Sequence, residues 1–236
     1  MQSAYEIRTA PDAVWNQGVG ARSQFITRTY AHLLGAIVAF TAIEMVIFAT
    51  GAAESIARAL LSVPGGWLVV LGGLMVVSWI ASRTALTASS AAAQYAALGA
   101  FVTAEALIFV PLLFIAGQYY PGVITSAAAI TLIGFTGLTA IAFITRKDFS
   151  FLGGLLRWGM LCALLAIVGA VIFGFTLGPF FCVAMIALAG AAVLHDTSDV
   201  LHRYPHDRHV AASLQLFASI ALMLWYVISL LMSSRD

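Results

Sequence analysis

Charge is what this sequence has least of. Only 9% of its 236 residues are Asp, Glu, Lys or Arg, while 62% are hydrophobic. An average soluble domain carries about 25% charged and about 45–50% apolar residues. The shortage excludes an ordinary soluble enzyme, a disordered tail and a nucleic-acid binder, which needs a basic face. Lysine is nearly missing. Lys147 stands alone at the end of an apolar run, so a retinal protein, which needs a buried lysine in its last helix for a Schiff base, is excluded. Cysteine is scarce as well. Cys162 and Cys182 lie far apart inside apolar runs, giving no disulfide framework and no zinc spacing. The sequence shows no P-loop, no GxGxxG and no HExxH, and the deep histidines His32 and His195 have no GxSxG-like partner. Nothing compels an enzyme, and neither catalysis nor a cofactor is expected.

What remains is a set of apolar runs. The mean hydropathy of +1.00 places most of the chain in lipid, and its length allows about seven spans at roughly 20–25 residues each. Residues 1–25 are polar and read as a cytosolic arm. They lack the basic start, apolar core and small-residue site of a signal peptide. Residues 26–236 read as one transmembrane domain. Its runs cover about 25–50, from the Pro64-Gly65-Gly66 break to about Arg83, then 91–117, 122–144, 151–173, 178–200 and 210–232. A polar, Gly/Ala-rich stretch with Glu54 and Arg58 separates the first two. The runs are near-continuous rather than alternating, which argues for helices over strands. Their many Gly, Ala and Ser residues suit close helix packing in lipid. The fold class expected is all-α, a polytopic membrane protein of seven transmembrane helices.

Orientation follows from the cations. The arm and the even-numbered connections carry Arg8, Arg22, Arg28, Arg83, Arg146, Lys147, Arg157, Arg203 and Arg208, and the opposite side only Arg58 and Arg235. Cytoplasmic loops hold the excess of positive charge. The amino terminus is therefore expected in the cytosol and, with seven spans, the carboxy terminus outside.

Ionisable groups inside spans are expensive and point to function. Glu44 lies deep in the first run, Glu105 near the middle of the third, and Asp196 near the end of the sixth with His195 beside it. For Asp196 the alternatives are a functional carboxylate or a helix-end ion pair. For Glu105 they are function or a structural interhelical hydrogen bond. Glu44 either functions or snorkels to the outer interface. Asp199, Arg203 and Arg208 read as a solvated helix end. His195, His202, His206 and His209 share one window with three aspartates, but Pro205 breaks the helix there. A solvated turn is the first reading, with a metal site or a pH-sensing role as the alternative, and no metal ligand is assigned.

Several segments resemble one family in order along nearly the whole chain. TRKDFSFLGGLL (145–156), between the fourth and fifth runs, resembles the cytosolic hinge of the Bax inhibitor-1 family. The features are a Thr, the basic pair Arg146-Lys147, Asp148-Phe149, then a Gly-Gly helix start. ITRTY (26–30) resembles the family's entry to its first helix. TAEAL (103–107) resembles its third-helix segment, and LHDTSDVLH (194–202) its sixth-helix motif. AASLQLFASIALMLWYVISLL (211–231) resembles its last helix.

The resemblance implies six helices around a central one, and for several members a pH-sensitive calcium leak. In the best-understood bacterial type two aspartates, on the sixth and seventh helices, share a proton. Asp196 matches the first, and Ala218 stands where the second is expected. A lone carboxylate loses the coupling of a close pair. It then needs a partner, for which Arg83, His195 and Arg203 are candidates, or a substitute carboxylate in Glu105 if the third helix packs beside the sixth.

The function expected is thus a pH-sensitive calcium leak with Asp196, Glu105, His195 and Asp199 at the pore or sensor, Ca2+ or H+ as the transported or sensed ion, and no nucleic-acid partner. The alternative is a non-conducting membrane regulator that binds another membrane protein, such as a protease or stress-response partner. A solute transporter is disfavoured by the lack of an inverted repeat with matching broken helices. A bacterial cell membrane suits the short arm.

Overall fold

The computed structural model describes residues 18–235 apart from 63–65 and 89. The described residues form eight helices and no strand. They are α1 (Val19–Ala49), α2 (Ala52–Leu61), α3 (Gly66–Thr87), α4 (Ala91–Tyr119), α5 (Val123–Thr145), α6 (Leu152–Phe173), α7 (Pro179–His202) and α8 (His209–Ser233). Each of the seven runs read from the sequence corresponds to a helix. Six of them, all but α3, are long and apolar enough to cross a membrane, counted over the described residues.

Two features differ from expectation. Helix α1 begins at Val19, inside the stretch read as an arm that ends at residue 25, while residues 1–17 lie outside the described residues. The Gly/Ala-rich stretch after the first run is itself a helix, α2. Gly51 adopts φ 76 before it, a left-handed turn that glycine reaches without Cβ strain. The helix is amphipathic, with Ala53 and Ala57 buried and Glu54 and Arg58 paired one turn apart on the exposed side. Alanine buries little area but allows close approach, and α2 packs against α4 on that small-residue face.

Helix α8 is the centre of the bundle. It packs against α7, α1, α5 and α4, and more lightly against α3. Helix α6 packs on α7 with no substantial contact to α8, and Ala163 is its buried residue. The ring of helices around a central one is therefore present, with α6 displaced to its outside.

Lipid tails are as apolar as leucine, so such a core is held by van der Waals fit rather than by expulsion of water. Aromatic edges supply part of that fit. Phe217 of α8 meets Phe40 of α1 at 6.0 Å and Phe101 of α4 at 6.1 Å between ring centroids. Phe109 of α4 meets Phe40 and Trp225, each at 5.1 Å. The outward faces carry exposed Met45, Ile133, Trp158, Phe173 and Phe180. In water such a surface would aggregate; in a bilayer it is the face that lipid covers.

Candidate functional site: the Asp196 cluster

The arginine-rich end of the bundle is built where α7 ends, the chain turns, and α8 begins. Asp196 lies one and a half turns before the end of α7 and is only 4% exposed. Its partners come from α8. The Gln215 amide donates to Asp196 Oδ1 at 2.7 Å, and the Ser219 hydroxyl donates to Oδ2 at 2.5 Å. Residues four apart on a helix share a face, so both donors reach one carboxylate.

Tyr204, in the turn between the helices, donates its phenol to Gln215 Oε1 at 2.5 Å. That bond fixes which end of the amide faces Asp196, because the amide oxygen only accepts. Burial, with Asp196 and Asp199 nearby, pushes the Tyr204 phenol well above its usual range, so it stays a donor. Phe25 of α1 stacks on the Tyr204 ring, with centroids 6.4 Å apart.

His195 joins this network from the other side. Its Nδ1 lies 3.2 Å from Asp196 Oδ1 and 3.8 Å from Asp199 Oδ2. Asp199 faces Arg203 Nε at 3.4 Å, a charge contact rather than an aligned hydrogen bond. Arg203 also donates from Nη2 to Asp148 at 3.4 Å. Arg203 is 8% exposed, so the reading of Asp199 and Arg203 as a solvated helix end is corrected. Arg208 is likewise engaged, donating from Nη1 to the Ala88 carbonyl at the end of α3, 2.5 Å away.

The hinge motif docks onto this end of α7. The Phe149 N–H donates to Ser198 Oγ at 3.0 Å, and the Ser198 hydroxyl donates to the Lys147 carbonyl at 3.4 Å. Asp148 caps its own turn by accepting from the Ser150 N–H at 3.0 Å. Arg146 ends α5 in the left-handed conformation, φ 48, a strained choice for a residue with a side chain. Arg146 and Lys147 are exposed. The Gly-Gly start of α6 has a steric cause. A Cβ on Gly153 would lie 2.9 Å from His195 Nε2, whereas one on Gly154 meets nothing within 4 Å.

Beside the network is a cavity of about 350 Å³, lined by Ser78 and Ser82 of α3, Phe101 of α4, Tyr204, and Gln215 and Ala218 of α8. Ala218, where the second aspartate was expected, faces this cavity, while Gln215 and Ser219 are the α8 residues that reach Asp196.

The other sequence candidates are placed elsewhere. Arg83 is exposed and its guanidinium stacks on Trp79, 5.4 Å from the ring centroid; among the described residues no ion pair joins it to Asp196, so that pairing is corrected. Glu105 is buried on α4. However, α4 packs against α1, α2, α3 and α8, and has no substantial contact with α7, so Glu105 is not the substitute partner of Asp196. Glu44 is 7% exposed and both its oxygens lack a hydrogen-bond partner among the described residues, so it does not snorkel. No three His, Cys, Asp or Glu side chains converge as metal ligands among the described residues. The sequence reading missed Gln215, Ser219 and Tyr204; the signal available was a pair of polar residues four apart, and so on one face, in a mostly apolar helix.

An uncharacterized protein of Pseudomonas aeruginosa is 33% identical over 99 residues, which cover 42% of this chain and 44% of that relative. The match thus spans less than half of the relative's length. Residues 22–236 match the family described as inhibitor of apoptosis-promoting Bax1, a stretch that takes in the hinge, the Asp196 cluster and every helix except the first three residues of α1. The chain therefore belongs to the Bax inhibitor-1 family.

Proposed function

We propose that this chain is a seven-span membrane protein that conducts a pH-sensitive cation leak, with calcium as the permeant ion and Asp196 as the gate residue. Helix α3 is taken as the remaining span. Its 22 residues rise about 33 Å at 1.5 Å per residue, enough for the hydrocarbon core. The cations at the α1 start and on the α3–α4, α5–α6 and α7–α8 connections put that end in the cytosol and the carboxy terminus outside, in a bacterial inner membrane.

The observation that carries the reading is a buried carboxylate tied by hydrogen bonds to the edge of a cavity. Asp196 is held by Gln215 and Ser219, and Gln215 and Tyr204 line the void between α3, α4 and α8. An ionisable group buried in a membrane bundle is a default mark of an ion or proton path, and here it is the hydrogen-bond partner Gln215, not Asp196 itself, that faces the cavity. Glu105 stands one turn along α4 from Phe101, which lines the same cavity, and serves as the second carboxylate of the path. His195 and Asp199 link the gate to the hinge. No catalytic step and no cofactor belong to this reading.

One observation favours a second reading, a non-conducting regulator of another membrane protein. Ala218 stands where the resemblance places the second carboxylate, Asp196 is held by neutral donors, and the hinge is tied to α7 through Arg203–Asp148 and Ser198–Phe149. Calcium flux into liposomes holding the purified, folded protein separates the two. The leak requires flux above protein-free liposomes between about pH 6 and 8. Its absence leaves the regulator, for which cross-linking in membranes should yield a reproducible protein partner.

A further inference from the structure

Between α1 and α4 the surface of the bundle opens into a groove of about 540 Å³. Ala31, Gly35 and Ala39 of α1 face Leu98, Gly99 and Thr103 of α4 across it. Small residues in membrane helices ordinarily let two backbones approach. Gly35 and Gly99 do not serve that end, because a Cβ built on either meets no atom within 4 Å. They hold space open. The Thr103 hydroxyl donates to the Gly99 carbonyl of its own helix at 2.8 Å, so no unsatisfied hydroxyl is left for water to bind. Both helices are membrane spans by length and composition, and Leu34, Val38 and Leu107 beside the groove are exposed. Water in such a space would lack polar partners, so what fills it in a bilayer is hydrocarbon.

One end of the groove is different. At the arginine-rich end, Tyr95 and His32 meet across it, with the Tyr95 hydroxyl 3.0 Å from His32 Nε2. His32 Nδ1 donates to the Arg28 carbonyl at 2.6 Å. The His209 ring lies 4.9 Å from the His32 ring, and its buried Nδ1 has no hydrogen-bond partner among the described residues. Arg28 is exposed and its charge bears on His209. The acidic group acting on His209 is Asp207, which is itself engaged by Arg208 at 3.3 Å. An apolar slot therefore ends in a cation and a set of imidazole and phenol groups. A phospholipid has the matching layout, with an acyl chain below an anionic phosphate.

We propose that the α1–α4 groove holds one anionic phospholipid, its acyl chain along Gly35, Ala39 and Gly99 and its phosphate at Arg28 and His209. The site is separate from the Asp196 cluster and does not depend on ion conduction.

The test is native mass spectrometry of the full chain in mild detergent, with phosphatidylglycerol or phosphatidylcholine of identical acyl chains added. The native chain should retain one phosphatidylglycerol more strongly than phosphatidylcholine. Gly35→Leu and Gly99→Leu put side chains into open space, so both variants should stay folded and monodisperse yet lose the retained lipid of either kind. Arg28→Gln should weaken phosphatidylglycerol retention by about fivefold, the size of one basic residue's attraction to an anionic membrane, and leave phosphatidylcholine unchanged. Leu165→Ala, on the exposed side of α6, should change nothing. Folded glycine variants that retain phosphatidylglycerol like the native chain would overturn the proposal. So would equal retention of the two lipids in the native chain, or a lipid-free dimer, which would give the groove to a second copy.

Discussion

Gln215 and Asp196 meet across the contact of the two most intimately packed helices, the amide nitrogen 2.7 Å from the carboxylate oxygen. A neutral donor thus stands against the carboxylate that the family resemblance pairs with a second acid. The pair binds α7 to the central helix and links the hinge side of the molecule to the cavity.

Replacing Gln215 by Leu removes a donor from Asp196 and the acceptor of the Tyr204 phenol at once. Leaving buried polar groups unpaired costs about 1–3 kcal/mol each, so the variant should melt markedly lower in detergent. Gln215→Glu tests the chemistry instead. Two carboxylates at that distance do not both ionise readily, so the variant's melting temperature should fall between pH 6 and 8 while that of the native chain stays flatter over the same range.

The paired glycines at the start of α6 give a built-in control. Gly153→Ala forces a methyl against His195 Nε2, 2.9 Å from the new Cβ, and should lower thermal stability. Gly154→Ala enters open space and removes the helix penalty of glycine, a gain of roughly 0.5–1 kcal/mol. Equal effects of the two changes in thermal unfolding would contradict the packing described here.

Arg203 faces Asp199 and Asp148, each at 3.4 Å. Arg203→Met leaves two acids without their shared cation, and breaking a buried pair from one side costs about 3–5 kcal/mol. Asp148→Asn should cost less, because Asp148 is the more exposed partner, 25% against 9% for the arginine side chain. Hydrogen exchange of the Phe149 amide should quicken in both variants as the hinge loosens from α7.

Tyr204 gives a pH dependence of known sign. Its phenol is held protonated in the folded chain, chiefly by burial, whereas an unfolded tyrosine ionises near pH 10. The folded state then binds more protons than the unfolded one above that pH, so stability is lost as pH rises further. Tyr204→Phe should start less stable at pH 8 and decline less steeply above about pH 10 in thermal scans.

The sequence revealed the helices better than their partners. Near-continuous apolar runs mark long helices, so the seven runs and their limits agree with α1 and α3–α8 to within a few residues, apart from the early start of α1 at Val19. Helix α2 escaped because it buries only small alanines, which give no strong apolar signal. Asp196 stood out as a charge in lipid, but Arg83 and Glu105 were wrong partners for a plain reason. Which helices touch is set by packing in three dimensions, and α4 lies against α8 rather than α7. Of the partners named, His195 is in place, 3.2 Å from Asp196 Oδ1, whereas the two α8 donors, Gln215 and Ser219, are uncharged, so a search for charges passed over them.

The most direct test of Asp196 as the gate is calcium flux into liposomes at pH 6, 7 and 8, with the native chain beside Asp196→Asn, both shown to be folded. The account predicts flux that changes with pH in the native chain and a response to pH that vanishes in the variant. Identical fluxes from the two proteins at every pH would contradict it.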